Sequence, residues 1–233
     1  MEPPLPDLDL LKKQAAESAA GLVKDGMLVG LGSGSTAAFA VQSLGERVKT
    51  GLRIRGVATS ERTAELARSL GIPLIELAED TRLDLTIDGA DEVEPGRLDL
   101  IKGHGGALLR EKIVASVSER LVIVADETKI TARLGRGPLP VEVTPFGWQS
   151  SARRVRDLGA QPSLRMNPDR QPFISDGGHY ILDCVFAGGF DAPTLAEELD
   201  RTVGVVEHGL FLGMAAQVYV AGASGVSVLS RSS

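Results

Sequence analysis

Short apolar runs alternate with amphipathic stretches along the first two-thirds of the chain. Residues 8–24 have a helical pattern, with Asp7 as its N-cap and an end near Gly26. The apolar runs that follow are MLVG, RIRGVA, LDLTI, LDLI and LVIVA. Helical patterns that separate several of these runs cover 36–47, 61–70 and 107–117. This alternation is typical of β-α-β units, and it predicts an α/β fold with a mainly parallel sheet covered by helices.

The pattern changes at GRGP, residues 135–138. PLPVEVTPF reads as a strand, 149–158 as a helix, and SLRM and HYILDCVFAG as two further strands. This order predicts a small α+β subdomain over 138–204. VGVVEHGLF and AAQVYVAG are apolar again and are expected to return to the main sheet. We therefore expect a main domain that comprises 1–137 and 205–233.

Composition excludes several classes of function. The chain has 233 residues with 43% apolar and 24% charged residues, and its net charge of −6 argues against nucleic acid as a partner. The single Cys184 allows neither a disulfide framework nor a multi-cysteine metal site. His104, His179 and His208 lack the spacing of metal ligands. No signal peptide is recognised and no apolar run approaches about 18 residues, so we expect a cytoplasmic protein without a membrane partner.

Each of the five apolar runs leads into a polar or glycine-rich segment. These segments are GLGSGST, TSERT, DGADEV, KGHGG and DETK, in the order of the runs. Because the carboxyl ends of parallel strands meet at one edge of an open sheet, we expect the five segments to form a composite ligand site there.

The first segment, Gly30–Thr36, connects a predicted strand to a predicted helix. Its glycines permit close approach of a ligand, and the N-terminus of the helix attracts an anion. The spacing matches neither the P-loop nor the dinucleotide-binding motif. Two hypotheses stay open: a phosphate site with hydroxyl donors, or a tight turn in which Ser35 or Thr36 caps the helix.

The third and fourth segments carry charged side chains. Asp88 and Asp91 lie three residues apart, a spacing that suits proton transfer but equally an Asx-turn with a helix cap. Lys102 begins a glycine-rich loop, 102–106, whose N–H groups would stabilise an oxyanion. The alternative is a surface lysine in front of a glycine turn.

Glu111 has apolar neighbours on its own face of the predicted helix 107–117. Partial desolvation there would raise its pKa towards that of a general base. Arg110 and Lys112 have similar neighbours, so a buried Glu–Arg pair is an equal alternative. Lys129 in the last segment is a candidate phosphate ligand or a solvated lysine.

Taken together, GLGSGSTA, TSERT, DGADEV, KGHGGALLREK, ADETK and PLPVEV resemble the A-type ribose-5-phosphate isomerases, in order and over most of the chain. The pairing of DGADE with KG-x-G-x-AL-x-REK is specific to that family. The resemblance implies a Rossmann-like α/β domain with a smaller α+β, ferredoxin-like subdomain. It also implies the interconversion of ribose 5-phosphate and ribulose 5-phosphate in the non-oxidative pentose phosphate pathway, without metal or organic cofactor.

The resemblance assigns roles to residues of this chain. Glu111 matches the base that moves a proton between C1 and C2 through an enediolate. Asp88, Asp91 and Lys102 match residues that assist ring opening, proton movement between O1 and O2, and oxyanion stabilisation. The matching substrate-binding positions are Ser33, Gly34, Ser35, Thr36, Asp88, Gly89, Ala90, Asp91, Lys102, Gly103, His104, Gly105 and Lys129.

Three departures from the family pattern stand out. Ser33 replaces a common threonine, and in the glycine loop His104 replaces a glycine and Gly106 an alanine. The stretch RTVG before VVEHGLF lacks an expected proline, which concerns the fold more than the chemistry. His104 would either crowd the pocket or point to solvent. The resemblance further implies a homodimer or homotetramer. Other hypotheses are a non-catalytic sugar-phosphate sensor, a CoA transferase and an amino-sugar-phosphate deaminase.

Overall fold

A computed structural model of the chain describes residues 7–231. The ends of the expected main domain, 1–6 and 232–233, lie outside this part. The helices are α1 Leu8–Ala20, α2 Gly34–Lys49, α3 Glu61–Ser69, α4 Leu108–Ser116, α5 Trp148–Asp157 and α6 Ala192–Asp200. Asp7 caps α1 as predicted, since its side chain accepts the N–H groups of Asp9 and Leu10. Within residues 7–231, none of the helices combines the length and apolarity needed to cross a bilayer.

The strands run in chain order from the first apolar run to the end of the described chain. They are β1 Leu28–Leu31, β2 Arg55–Ala58, β3 Leu85–Gly89, β4 Glu92–Glu94, β5 Asp99–Ile101, β6 Leu121–Asp126, β7 Leu139–Val143, β8 Gln161–Leu164, β9 Tyr180–Val185, β10 Val205–His208, β11 Leu210–Phe211, β12 Ala215–Gly222 and β13 Gly225–Ser230.

The main sheet has six strands in the order β13-β12-β6-β3-β1-β2. All neighbours in it are parallel except the β12–β13 hairpin, which confirms the predicted mainly parallel sheet. β6 lies in its middle and is buried along its whole length. Val122 and Val124 pack with α1 and α2, while Leu121 and Ile123 pack on the opposite side. Burial on both faces explains why this strand is a continuous apolar run.

The run LDLI does not join the main sheet, so the expectation of five parallel strands is wrong for this one. Its strand β5 pairs antiparallel with β4 and with β11 in a three-stranded sheet. Alternation of apolar and polar residues identifies a strand, but it does not specify the partner. The β4–β5 hairpin nevertheless returns the chain to the carboxyl edge of the main sheet, where the other segments lie.

The small subdomain has the predicted β-α-β-β order, followed by α6 and a further strand. Its antiparallel sheet has the order β10-β7-β9-β8, the ferredoxin-like arrangement. The fourth strand, β10, was expected in the main domain and instead pairs with β7. The predicted domain boundary after residue 204 therefore separates β10 from the sheet to which it belongs. The other predicted domain boundaries stay a prediction. Of the two terminal apolar stretches, only AAQVYVAG returns to the main sheet, as β12.

Gly30 in β1 brings α4 close to the main sheet. A Cβ at this position would stand 1.8 Å from Thr86 Oγ1 and 2.8 Å from a methyl carbon of Val114 on α4. Thr86 Oγ1 in turn lies 2.6 Å from the hydroxyl of Ser118, which follows α4. Because Gly30 has no side chain, Thr86 of the sheet and Val114 of α4 occupy the space beside it. This contact sets the position of α4, and with it that of Glu111.

Candidate active site

The site lies at the topological switch point of the main sheet, outside the carboxyl ends of β1 and β3. From there the chain passes to β2 on one side and to β6 on the other. The Ser33 N–H donates to Asp88 Oδ1 over 2.9 Å and so ties the two loops together. The cavity between them is lined by Ser33, Gly34, Ser35, Thr36, Gly89, Ala90, Asp91, Lys102, Gly103, Gly105, Glu111 and Lys129.

Lys102 reaches this cavity through the β4–β5 hairpin. The Asp91 N–H donates to the Ile101 carbonyl over 2.8 Å, which closes the hairpin beside the end of β3. Lys102 Nζ donates to the Gly89 carbonyl over 2.6 Å and lies 3.0 Å from Asp88 Oδ2. Its third neighbour is Glu111 Oε2, at 3.2 Å. The alternative of a surface lysine is wrong, since Lys102 is 3% exposed.

The charge of Lys102 is maintained by its two carboxylate neighbours. Burial alone would lower the pKa of the ammonium, but the negative charges of Asp88 and Glu111 outweigh burial and raise it. A fixed, buried positive charge that lines a cavity is able to stabilise an oxyanion there.

Glu111 lies on the inward face of α4, together with Leu108, Val114 and Ala115. Arg110 and Lys112 diverge from it to opposite sides. Arg110 pairs with Glu61 of α3 at 2.8 Å, and Lys112 donates to the His208 carbonyl at 2.7 Å. The alternative of a buried Glu–Arg pair is therefore wrong, because the cation beside Glu111 is Lys102.

The environment of Glu111 makes it a stronger base than an ordinary carboxylate. Burial, followed by the negative charge of Asp88, raises its pKa to about 8, although Lys102 works in the opposite direction. Glu111 Oε2 lies 3.2 Å from Lys102 Nζ, a charge contact. The Glu111 carboxylate also lines the cavity, so it is placed to accept a proton from a ligand.

The two aspartates have different environments. Asp88 is 1% exposed, and its Oδ1 accepts the N–H groups of Ser33 and Gly89 while Oδ2 faces Lys102. Asp91 is partly exposed and lines the cavity. β4 rather than a helix follows them, so the helix-cap alternative is wrong. Asp88 holds the lysine, and Asp91 is accessible to a ligand.

The N-terminus of α2 opens into the cavity. Its N-cap residue is Ser33, and within the described chain the Ser33 side chain makes no capping hydrogen bond to the helix. The Ser33 hydroxyl lies instead 2.5 Å from Thr59 Oγ1 at the end of β2. The alternative in which Ser35 or Thr36 caps the helix is therefore wrong. The uncapped N–H groups and the nearby Lys129 offer a positive lining to an anion.

The glycine-rich loop 102–106 explains two departures from the family pattern. A Cβ on Gly106 would stand 2.5 Å from the Phe173 ring, so Gly106 makes room for a side chain of the small subdomain. The His104 ring does not line the cavity and is exposed at the surface, so it does not crowd the pocket. It lies 3.5 Å from Asp91 Oδ1 and 2.9 Å from the Pro138 carbonyl.

Arg165 is a residue that the sequence did not single out. It follows β8, forms a bidentate pair with Asp183, and donates to the carbonyls of Gly103 and His104 over 3.0 Å each. The small subdomain therefore holds the loop of the main domain by its backbone. No local signal marks Arg165, because its partners lie about 60 residues earlier in the chain.

A second cluster of polar side chains lies at the end of β10. Potential metal-ligand atoms of Asp200, Glu207 and His208 lie within 4.8 Å of one another. Sequence spacing between the histidines missed this group, since it involves only one of them. The Lys112 ammonium forms an ion pair with the Glu207 carboxylate and would compete with a metal cation for it. Burial and Lys112 lower the pKa of His208 to about 4.

Known proteins resemble the chain over nearly its whole length. Residues 55–225 match the model of a family described as ribose 5-phosphate isomerase A (phosphoriboisomerase A). The ribose-5-phosphate isomerase A of Gloeobacter violaceus is 60% identical over 97% of this chain and 98% of its own. That of Thermomicrobium roseum is 54% identical over 95% and 94%.

Solved structures agree with the sequence relatives. Ribose 5-phosphate isomerase A from Methanocaldococcus jannaschii superposes with a TM-score of 0.91 at 39% identity, covering 96% of this chain and 99% of its own. A D-ribose-5-phosphate isomerase in complex with phospho-erythronic acid gives a TM-score of 0.93 at 36% identity, covering 97% and 100%. Both confirm the predicted fold class.

Replacing Asp88 by asparagine tests the electrostatics of the cavity. Asp88→Asn removes the negative charge that, after burial, most raises the pKa of Glu111, so this pKa should fall from about 8 towards its ordinary value. Carbon-13 NMR titration of glutamate-labelled protein measures it. Asp157→Asn on α5, an exposed position, is the control and should leave the value unchanged. An unchanged or higher pKa of Glu111 in Asp88→Asn would contradict the described charge balance.

Proposed function

The chain belongs to the ribose 5-phosphate isomerase A family, and on this basis we propose that Glu111 is the base of its reaction. The reaction is the reversible interconversion of D-ribose 5-phosphate and D-ribulose 5-phosphate, an aldose–ketose isomerisation of the pentose phosphate pathway. Curated relatives 49–60% identical to the chain are named as isomerases, so a sensor, a CoA transferase or a deaminase is not supported. The main support for this role is the position of Glu111: its buried carboxylate lies beside Lys102 and lines the cavity.

The proposed proton transfer begins with the open-chain aldose. The ionised Glu111 takes the proton from C2, and the electron pair of the broken C–H bond moves to the carbonyl to form an enediolate. Glu111 then returns the proton to C1, which gives the ketose. A carboxyl group with a pKa near 8 suits both steps, because it accepts and releases the proton near neutral pH.

The geometry supports a division of roles among the other charged groups. Lys102 stabilises the negative charge that develops on the oxygen of the enediolate. Asp91, which lines the cavity, moves the proton between O2 and O1 and assists ring opening. Asp88 acts through Lys102, since both of its oxygens are already engaged by Lys102 and by backbone N–H groups.

The opposite end of the cavity is proposed to bind the 5-phosphate. The free N–H groups of α2 and the hydroxyls of Ser35 and Thr36 are donors, and Lys129 supplies a compensating charge. In this orientation the first two carbons of the sugar lie towards Glu111 and Lys102.

A neighbouring structure supports the enediolate. The D-ribose-5-phosphate isomerase that superposes at a TM-score of 0.93 is in complex with phospho-erythronic acid. The planar carboxylate of a sugar acid imitates an enediolate in shape and charge, and tight binding of such analogues reflects complementarity to the transition state.

We also propose, as implied by the family, a cytoplasmic location and a homodimer or homotetramer. Exposed apolar side chains such as Phe146, with 95% exposure, and Val203, with 72%, support association. The mass of the native particle by light scattering tests the assembly, and a monomer would contradict it.

Replacing the proposed base should abolish the reaction with little change in substrate binding. We expect Glu111→Gln to lower kcat by about 10²- to 10⁴-fold, the usual contribution of a general base. In the wild type, kcat/KM should rise with pH through about 8, because Glu111 must be ionised and its pKa is raised to that range. A coupled assay on ribose 5-phosphate measures both effects. Equal activity of the two proteins would contradict the role of Glu111.

Replacing Lys129 tests the phosphate end of the cavity. Lys129→Gln should raise KM for ribose 5-phosphate by about tenfold and change kcat less, since the charge contact is made throughout the reaction. Lys49→Gln at the exposed end of α2 is the matched control and should behave as the wild type. An unchanged KM in Lys129→Gln would place the phosphate elsewhere.

A further inference from the structure

Arg165 of the small subdomain binds two successive carbonyl groups of the glycine-rich loop 102–106. Its Nη1 donates to the Gly103 carbonyl and to the His104 carbonyl, over 3.0 Å each. The guanidinium of an arginine keeps its positive charge in proteins, so both contacts are charge-assisted hydrogen bonds, which are stronger than those between neutral groups. Two neighbouring peptide groups of the loop are therefore held by one fixed charge.

The Arg165 side chain is itself held in place by the small subdomain. It forms a bidentate pair with the Asp183 carboxylate, in which Nε donates to Oδ2 over 2.9 Å and Nη2 donates to Oδ1. Its guanidinium carbon lies 5.8 Å from the centroid of the Phe173 ring, and only 14% of the side chain is exposed. A guanidinium with these partners has few orientations, so it is a rigid support for the loop.

The planarity of the peptide bond determines where the N–H groups of the loop point. In a trans peptide the carbonyl and the N–H that follows it point to opposite sides. The Gly103 carbonyl faces Arg165, and the N–H of the same peptide, that of His104, donates to Asp91 Oδ2 over 2.9 Å. By the same rule the Gly105 N–H, which shares its peptide with the His104 carbonyl, points away from Arg165.

The Gly105 N–H is available to a ligand. Gly105 lines the active-site cavity, and within residues 7–231 its N–H donates to no protein acceptor. The N–H groups on either side of it are engaged, that of His104 by Asp91 and that of Gly106 by the Gly103 carbonyl over 3.0 Å. A cation bound to the carbonyl of a peptide polarises that peptide, which makes its N–H a better donor.

We propose that Arg165 is a positioning residue that orients the loop, so that the Gly105 N–H points into the cavity and donates to the enediolate oxygen. This inference rests on the proposed function. Arg165 does not line the cavity, so it acts through the loop and not on the substrate. A donor held in advance where negative charge develops stabilises the transition state without reorganisation, and here it would act together with Lys102.

The test compares wild type with Arg165→Lys, which keeps the charge but is unable to bind Asp183 and two carbonyls in one plane. With ribose 5-phosphate as substrate, kcat should fall by about 10- to 100-fold and KM should change less.

Equilibrium binding of two ligands separates orientation of the loop from general damage to the site. Phospho-erythronic acid probes both ends of the cavity, whereas inorganic phosphate probes the phosphate end alone. In Arg165→Lys, phospho-erythronic acid should bind about tenfold more weakly, because this analogue imitates the enediolate. Phosphate should bind as in the wild type. An equal loss for both ligands, or no loss for either, would overturn the proposal.

Arg47→Lys is the matched control. Arg47 also donates to two backbone carbonyls, those of Ala20 and Val23, but it does not line the cavity. This variant should have the kcat and both affinities of the wild type, and a loss of kcat equal to that of Arg165→Lys would count against the proposal. If Arg165→Lys fails to fold, Asp183→Asn, which loosens the guanidinium without removing it, replaces it and should change the same quantities in the same direction.

A further measurement does not depend on catalysis. Nitrogen-15 relaxation of the backbone amides should show a lower order parameter for Gly105 in Arg165→Lys than in the wild type, with Gly34 of α2 unchanged. Identical order parameters for Gly105 would overturn the proposal. If the wild type failed to isomerise ribose 5-phosphate, the proposed function would fail, while this comparison would still decide whether Arg165 orders the loop.

Discussion

The ion cluster of Lys102, Asp88 and Glu111 is the constraint on which the rest of the site depends. One buried ammonium faces two carboxylates, so the cluster has one negative charge more than its cation neutralises. With a single carboxylate the pair would balance, and Glu111 would be a weak base held firmly in its ionised form. The excess charge, together with burial, makes the glutamate basic. Two backbone N–H groups bind Asp88, whereas Glu111 accepts none of the backbone N–H groups in the described chain and faces the cavity.

Much of the architecture was predictable because its signals are local. Burial on both faces makes β6 a continuous apolar run, and the glycine-rich segments mark the ends of strands. The positions of Glu111 and Lys102 in the cavity followed from family motifs, whereas helical periodicity alone left Arg110 and Lys112 as equal candidates. Strand pairing was not predictable: β5 and β10 are strands as expected but join other sheets. The sequence pattern of a strand of three or four residues does not indicate which sheet it joins or with which strand it pairs.

The glycine-rich loop 102–106 lies in the main domain, but it also contacts the small subdomain. Phe173 packs against Gly106, and Arg165 binds the loop carbonyls from the small subdomain. These contacts join segments about 60 residues apart, which explains why no spacing pattern revealed them. Gly106 and His104 also contact this subdomain, through the Phe173 ring and the Pro138 carbonyl. Both residues meet partners in the small subdomain, so their effect depends on that subdomain rather than on the loop.

The small subdomain is inserted between β6 and β12, two strands that are neighbours in the main sheet. During synthesis on the ribosome, β6 emerges about 90 residues before the partner that covers its open edge. The helix α1 packs on both strands, so its packing surface is also incomplete until β12 has been synthesised. Contacts of such large sequence separation slow folding and leave apolar edges exposed in the interval. The inserted subdomain is therefore synthesised before β12 and can fold first. Pairing of β12 with β6 then completes the main sheet as a late step in folding.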